Sequence, residues 1–133
     1  MSRYCLDTSA YSQFRRGEPQ VVELLDRAEW VGVPAVVLGE LWTGFLLGGR
    51  VESSRDELRR FLAHPAVEEL PVDHETARVY AEIVVAQRRT GRPLPSNDLW
   101  VAAAAARAGA PVLSFDDHFR AVARIGAIVL TAA

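Results

Sequence analysis

Short apolar runs alternate with helical patterns along this chain, and that alternation constrains the fold more than any other feature. Residues 3–6, 30–33, 67–70, 112–115 and 128–131 read as strands. Helical patterns lie between them at 9–16, 19–27, 34–47, 53–63, 73–90 and 96–108, with a short helix from Asp117. Strands separated by helices need crossover connections. The expectation is an α/β fold with a mainly parallel central sheet of about four to five short strands, covered by helices on both faces. In such sheets ligands lie at the carboxyl ends of the strands.

Local signals mark the helix ends. Pro34 sits where a first helical residue is favoured. Ser53 and Ser54 offer N-caps, with Asp56 and Glu57 in the first turn. Asp73 caps a long helix closed by Gly91, and Ser96 caps the helix that contains the Ala102–Ala106 run. No repeat, low-complexity tract or long linker divides the 133 residues, so residues 1–133 read as one domain.

Composition excludes several chemistries. Half of the residues are apolar and 24% are charged, which suits a chain with a real core. All 15 basic residues are arginine. Without lysine there is no Schiff-base enzyme, no P-loop lysine and no kinase lysine. Arginine grips phosphate bidentately, so nucleic acid stays open despite a net charge of -2. The single cysteine, Cys5, cannot form an internal disulfide and rules out a multi-cysteine zinc site. The first residues show no signal-peptide pattern, and the longest apolar run, 31–39, is far short of a membrane span. A reducing, cytoplasmic setting is the expectation.

Carboxylates follow the strands. Asp7 ends the first, Asp116 and Asp117 follow the 112–115 strand, Asp98 lies in a helix first turn, and Glu40 lies inside the helix after the second strand. Each has a plain alternative: Asp7 as a helix cap, Asp98 and Asn97 as dipole-complementing residues, Asp116 and Asp117 as a turn and cap pair, Glu40 as a solvated or arginine-paired side chain. Glu40 has apolar neighbours, where burial would require a partner or a metal. Two carboxylates about 4 Å apart repel by about 4 kcal/mol at an effective dielectric near 20. A divalent cation removes that repulsion. The donors are hard oxygens, supported by Thr8, Ser9, Asn97 and Ser114, and suit Mg²⁺ or Mn²⁺ rather than Zn²⁺.

These residues resemble a PIN domain, and more narrowly a VapC-type ribonuclease toxin. The resemblance rests on Tyr4-Cys5-Leu6-Asp7-Thr8-Ser9, Val37-Leu38-Gly39-Glu40-Leu41, Leu94-Pro95-Ser96-Asn97-Asp98-Leu99-Trp100, and Val112-Leu113-Ser114-Phe115-Asp116-Asp117. Their order and spacing agree over the whole chain. Ser114 stands where the family often has threonine, which keeps the hydroxyl. The resemblance implies a metal-dependent endoribonuclease with catalytic Asp7, Glu40, Asp98 and Asp116. It implies Mg²⁺ held by Asp7, Asp98 and Asp116, with Asp117 auxiliary, Glu40 acting through water and Mn²⁺ able to substitute. It also implies an RNA substrate, a cognate VapB-like antitoxin, a homodimer and a toxin–antitoxin hetero-oligomer. A non-catalytic PIN-type RNA-binding or scaffold module is the alternative. A receiver domain wants a lysine, and a haloacid-dehalogenase-type phosphatase wants Asp-x-Asp where Ser9 stands.

Other features have two readings each. Arg88, Arg89 and Arg92 precede the Asp98 segment and read either as an RNA-backbone contact or as a helix end dressed with arginine. The helix with Glu40 is apolar over more than one stripe and reads as a buried central helix. Its rival is a partner groove formed by Trp42, Phe45 and Leu46 with Tyr11 and Phe14. His118, beside the acidic pair, reads either as a group for proton transfer or ligation or as an exposed residue of the short helix.

Overall fold

The computed structural model describes residues 2–132. The chain runs β1 (Arg3–Leu6), α1 (Thr8–Arg15), α2 (Pro19–Asp26), β2 (Trp30–Pro34), α3 (Ala35–Gly48), α4 (Val51–Leu62), β3 (Val67–Leu70) and α5 (His74–Arg89). It continues through α6 (Ser96–Ala108), β4 (Val112–Ser114), a 3₁₀ helix (Asp117–Ala121) and β5 (Ala127–Val129). All strand pairs are parallel, in the order β3-β2-β1-β4-β5. The parallel sheet with helices on both faces is therefore as the alternation predicts.

The strand order places the site. From β1 the chain winds outward through β2 to β3, then α5 and α6 carry it back to β4 on the other side of β1. The β1–β4 boundary is the topological switch point, where the flanking loops diverge and leave a crevice. Leu6 pairs in register with Leu113, so Asp7 and Ser114 emerge side by side there.

Both faces of the central strands are covered. Cys5 and Leu6 on β1 and Val112 and Leu113 on β4 are fully buried, although successive side chains point to opposite faces. Val33 of β2 is fully buried as well. The small side chains Ala102, Ala103 and Ala105 let α6 lie close to its neighbours, and all three are 0% exposed. Gly32 is required by packing: a Cβ there would stand 2.4 Å from the Trp30 ring and 2.8 Å from Leu70. Arg3 lies over the other part of that arrangement, its guanidinium 4.3 Å from the Trp30 ring centroid.

Several helix starts differ from the sequence expectation. Pro34 is the last residue of β2 and the N-cap of α3, with extended backbone, rather than the first helical residue. Ser53 and Ser54 lie inside α4, which begins at Val51 because only a left-handed Gly49 and Arg50 separate it from α3. Ser54 is buried, and its hydroxyl accepts from Arg15 Nη2 at 3.0 Å. Ser96 is the first residue of α6 and Pro95 the N-cap.

Asp73 does cap α5, accepting from the Thr76 N–H at 2.9 Å and hydroxyl at 2.8 Å. Arg107 of α6 donates to both of its carboxylate oxygens, at 2.7 and 2.8 Å. The Thr76 donors and then Arg107 hold this carboxyl down at about 2. A depressed folded-state value stabilises the protein above the unfolded value of about 4, and that stabilisation disappears as pH falls through the folded value. Asp73→Ala is therefore expected to lower the thermal midpoint at neutral pH. The difference from wild type shrinks as pH falls from about 4 toward 2. A gap that persists unchanged at the acid end would show that the charge plays no part.

Candidate active site

Asp7 is the centre of the site. It ends β1, caps α1 and is 7% exposed. Three donors converge on its carboxylate. The Ala10 N–H and Ser9 hydroxyl donate to Oδ1 at 2.9 and 2.7 Å, and the buried Ser114 hydroxyl donates to Oδ2. Burial raises its proton affinity; the Ser114, Ala10 and Ser9 hydrogen bonds oppose that, and the negative charge of Asp98 adds to it. The cap reading and the site reading of Asp7 are both realised, because the first turn of α1 and the exit of β4 meet at one carboxylate.

The two serines also fix the neighbouring loop. Ser9 Oγ accepts from the Phe115 N–H and Ser114 Oγ from the Asp116 N–H, both at 2.9 Å. Each hydroxyl thus accepts from the backbone after β4 and donates to the carboxylate after β1. This relay sets Asp116 relative to Asp7 across 109 residues of chain.

Asp98, in the first turn of α6, is partly buried. Burial raises its pKa; hydrogen bonding and charge from His118 oppose the rise, while the charges of Asp116 and Glu40 reinforce it. Asp116 caps the 3₁₀ helix, accepting from the His118 N–H at 3.1 Å. Asp117 is exposed beside it, and ligand atoms of Asp116, Asp117 and His118 lie within 4.8 Å of one another. Glu40 is exposed rather than buried among apolar side chains, and its Oε1 accepts from the Thr8 hydroxyl at 2.8 Å. Facing solvent, it carries no desolvation penalty that only a metal would relieve. Asn97 is exposed in the same helical turn as Asp98.

Sequence reasoning undervalued His118. Its Nδ1 lies 3.1 Å from Asp98 Oδ2 and 3.2 Å from Asp116 Oδ2. The bond to Asp98, with the charges of Asp116, Asp98 and Asp117, raises its pKa above the ordinary histidine value. The Asp-Asp-His run was visible in the sequence, but its relation to Asp98 depends on how α6 meets the 3₁₀ helix. A histidine nitrogen within reach of two carboxylates marks that gap as one where positive charge is favoured. Together with the all-oxygen set of Asp7, Asp98, Asp116, Asp117 and Glu40, it fits a hard divalent cation.

The arginine and apolar expectations fare differently. Arg88, Arg89 and Arg92 are exposed. Arg92 lines a cleft with Glu82 and Arg124, separate from the two clefts that border the acidic edge. The helix expected to be buried, α3, is not: it buries only Val37, Leu41 and Phe45, a single i, i+4, i+8 line. Trp42, Leu46 and Leu47 are 37%, 66% and 84% exposed. No one cleft holds all five residues of the expected groove, although Tyr11 and Phe45 line one together and Tyr11 and Phe14 another. Tyr11 and Phe45 belong to the core, Phe14 packs at 5.2 Å centroid separation on Phe61, and only Trp42 and Leu46 face outward.

A parallel α/β sheet with acidic side chains gathered at its switch point defines the class of molecule. The PIN domain family model matches residues 4–125, and the chain belongs to this family. It is 35% identical over 119 residues to Ribonuclease VapC5 of Mycobacterium tuberculosis (strain ATCC 25618 / H37Rv), covering 88% of this chain and 85% of that one. It is 30% identical over 102 residues to Ribonuclease VapC4 of the same organism, covering 77% of this chain and 78% of that one. Among solved structures it is similar to VapBC-5 from Mycobacterium tuberculosis, described as a member of the VapBC family of toxin–antitoxin systems. The TM-score is 0.76 at 30% identity, over 98% of this chain and 100% of that chain. Among the described residues, no helix is long and apolar enough to cross a membrane.

Proposed function

We propose that this chain, residues 1–133 as one PIN domain, is a metal-dependent endoribonuclease and the toxin of a toxin–antitoxin pair. The observation that carries the reading is the buried Asp7 carboxylate, held by two serine hydroxyls beside Asp98, Asp116 and Glu40. Ribonuclease VapC5, at 35% identity, supplies the class of reaction.

Mg²⁺, with Mn²⁺ able to substitute, is the cation that suits these donors. Asp7, Asp98 and Asp116 would hold it, Asp117 would assist, and Glu40 would act through a water. Such an ion supplies a water of lowered pKa and positive charge for the leaving oxygen. The chain's own residues do the rest. By donating to Asp7, Ser9 and Ser114 aim its carboxylate and favour the ionised form against the opposing effect of burial. Thr8 orients Glu40 by donating to Oε1, which leaves the remaining lone pairs of Glu40 to accept from a water. Water adds to phosphorus and the bond to one ribose oxygen breaks, leaving two RNA ends. Asn97, exposed near Asp98, is an additional polar contact for the backbone.

A VapB-like antitoxin, a homodimer and a toxin–antitoxin hetero-oligomer belong to the same reading, with the exposed Trp42 and Leu46 on α3 as apolar contact residues. The cytoplasm is the fitting compartment, because RNA is there and Cys5 is a free thiol.

The test is cleavage of end-labelled total RNA. Cuts at discrete positions are expected with Mg²⁺ or Mn²⁺, and none with chelator. The metal is also expected to raise the thermal midpoint, because it binds the folded state. RNA binding without cuts, under conditions where metal binding is confirmed, would favour the non-catalytic module.

A further inference from the structure

Two clefts border the acidic edge, with α1 between them. One, of about 530 Å³, is lined in part by Thr8, Ser12, Arg15, Arg16, Glu40 and Arg50. The other, of about 680 Å³, takes in Ser9, Gln13, Phe115 and Asp116. The helical period explains the division: residues 8, 12 and 15 share one face of α1, while 9 and 13 share the next. The first cleft contains Thr8 and Glu40, so it opens directly from the acidic edge.

Its three cations are in different states. Arg15 is committed to the wall, with Nε 2.6 Å from Glu57 Oε2 and Nη2 donating to Ser54 Oγ at 3.0 Å. Arg16 and Arg50 are exposed, and no carboxylate among the described residues lies within 4.0 Å of either guanidinium. Two unpaired guanidinium forks therefore share a cleft with Glu40. Guanidinium matches phosphate oxygens bidentately and is always charged. A strand with one phosphodiester at the acidic edge carries its next phosphates into the neighbouring cleft.

We propose that Arg16 and Arg50 bind backbone phosphates of the RNA strand beside the scissile phosphodiester, with the Arg15–Glu57 pair fixing the cleft wall. The inference deepens the nuclease reading and rests on it. It moves the main electrostatic contact from Arg88, Arg89 and Arg92, which line neither cleft, to the far end of α1 and the start of α4.

The test measures binding of a short, fluorescein-labelled, mixed-sequence single-stranded RNA in chelator, where no cleavage occurs, as a function of salt. The Arg16→Gln/Arg50→Gln double variant is expected to weaken binding at low salt by about tenfold or more. Its log–log salt slope should be shallower by about 1.4, roughly 0.7 per lost phosphate contact. Arg16→Lys/Arg50→Lys should recover most of the slope, because the charge is kept. In steady-state cleavage, the glutamine variant should raise KM more than it lowers kcat. Circular dichroism melts matching wild type would show that the variants fold. Three results would overturn the proposal while leaving the nuclease reading intact. One is an unchanged slope in the glutamine variant when wild type binds and cuts RNA. Another is a loss confined to Arg88→Gln/Arg89→Gln. The third is unaltered RNA binding with lost capture of the antitoxin. A wild-type protein that neither binds nor cuts RNA would remove both readings together.

Discussion

Asp7→Asn is expected to reduce metal-dependent RNA cleavage by at least ~10²-fold, the scale on which active sites lose a preorganised electrostatic group. The same change is expected to raise the thermal midpoint of the metal-free protein. Asparagine keeps the N-cap of α1, since its side-chain oxygen accepts the Ala10 N–H as aspartate does. The Ser114 hydroxyl can rotate to accept from the new amide. What disappears is a buried negative charge beside that of Asp98.

The sign follows from the direction of the shift. A carboxyl whose folded-state pKa is raised contributes stability that is complete below its unfolded value, near about 4, and is lost as pH rises through the folded value. The melting gap between Asp7→Asn and wild type in chelator should therefore open as pH rises toward neutrality. Added Mg²⁺ should close it by stabilising wild type alone. An Asn variant that melts below wild type in chelator at neutral pH would mean that Asp7 is a structural cap and hydrogen-bond hub rather than a strained site carboxylate. Stability held below its optimum at a functional residue is a common trade.

Phe119→Ala is expected to have the opposite balance. Phe119 is 1% exposed and anchors the 3₁₀ helix into the core. Truncating a buried phenylalanine costs about 3–5 kcal/mol, through lost transfer energy and the cavity left behind. That is a large share of a total stability of about 5–15 kcal/mol, so the thermal midpoint should fall by about 10 °C or more. The local consequence is functional. Asp117 and His118 lie in the same short helix and Asp116 caps it. Loosening the helix should weaken metal binding, and calorimetric titration with Mn²⁺ at a temperature where the variant remains folded measures this. Phe119→Leu keeps most of the apolar volume and should lose less of both. Unchanged Mn²⁺ affinity in a folded Phe119→Ala would show that the Ser114 bond to the Asp116 N–H holds that carboxylate by itself.

The division between what was legible and what was not has a physical origin. Local periodicity and punctuation are carried by residues a few positions apart. The strand–helix alternation, the Asp73 cap and the carboxylates after the first and fourth strands could therefore be read directly. The parallel sheet follows, because helix-length connections permit little else. Helix starts were less legible. Ser54 looks like a cap, yet it is buried beneath Arg15, 39 residues away in sequence.

The sequence by itself determined an α/β sheet of parallel strands, the set of acidic residues and the exclusion of lysine chemistry. The tertiary structure alone decided how those acids are held. The Ser9 and Ser114 relay exists only because β4 returns beside β1, and the Phe115 N–H to Ser9 bond spans 106 residues. It also decided that His118 lies between Asp98 and Asp116, that α3 exposes Trp42, Leu46 and Leu47, and that Arg16 and Arg50 share a cleft with Glu40. These depend on strand order and helix rotation, which arise from burying the whole core at once and leave no periodic trace in any single segment.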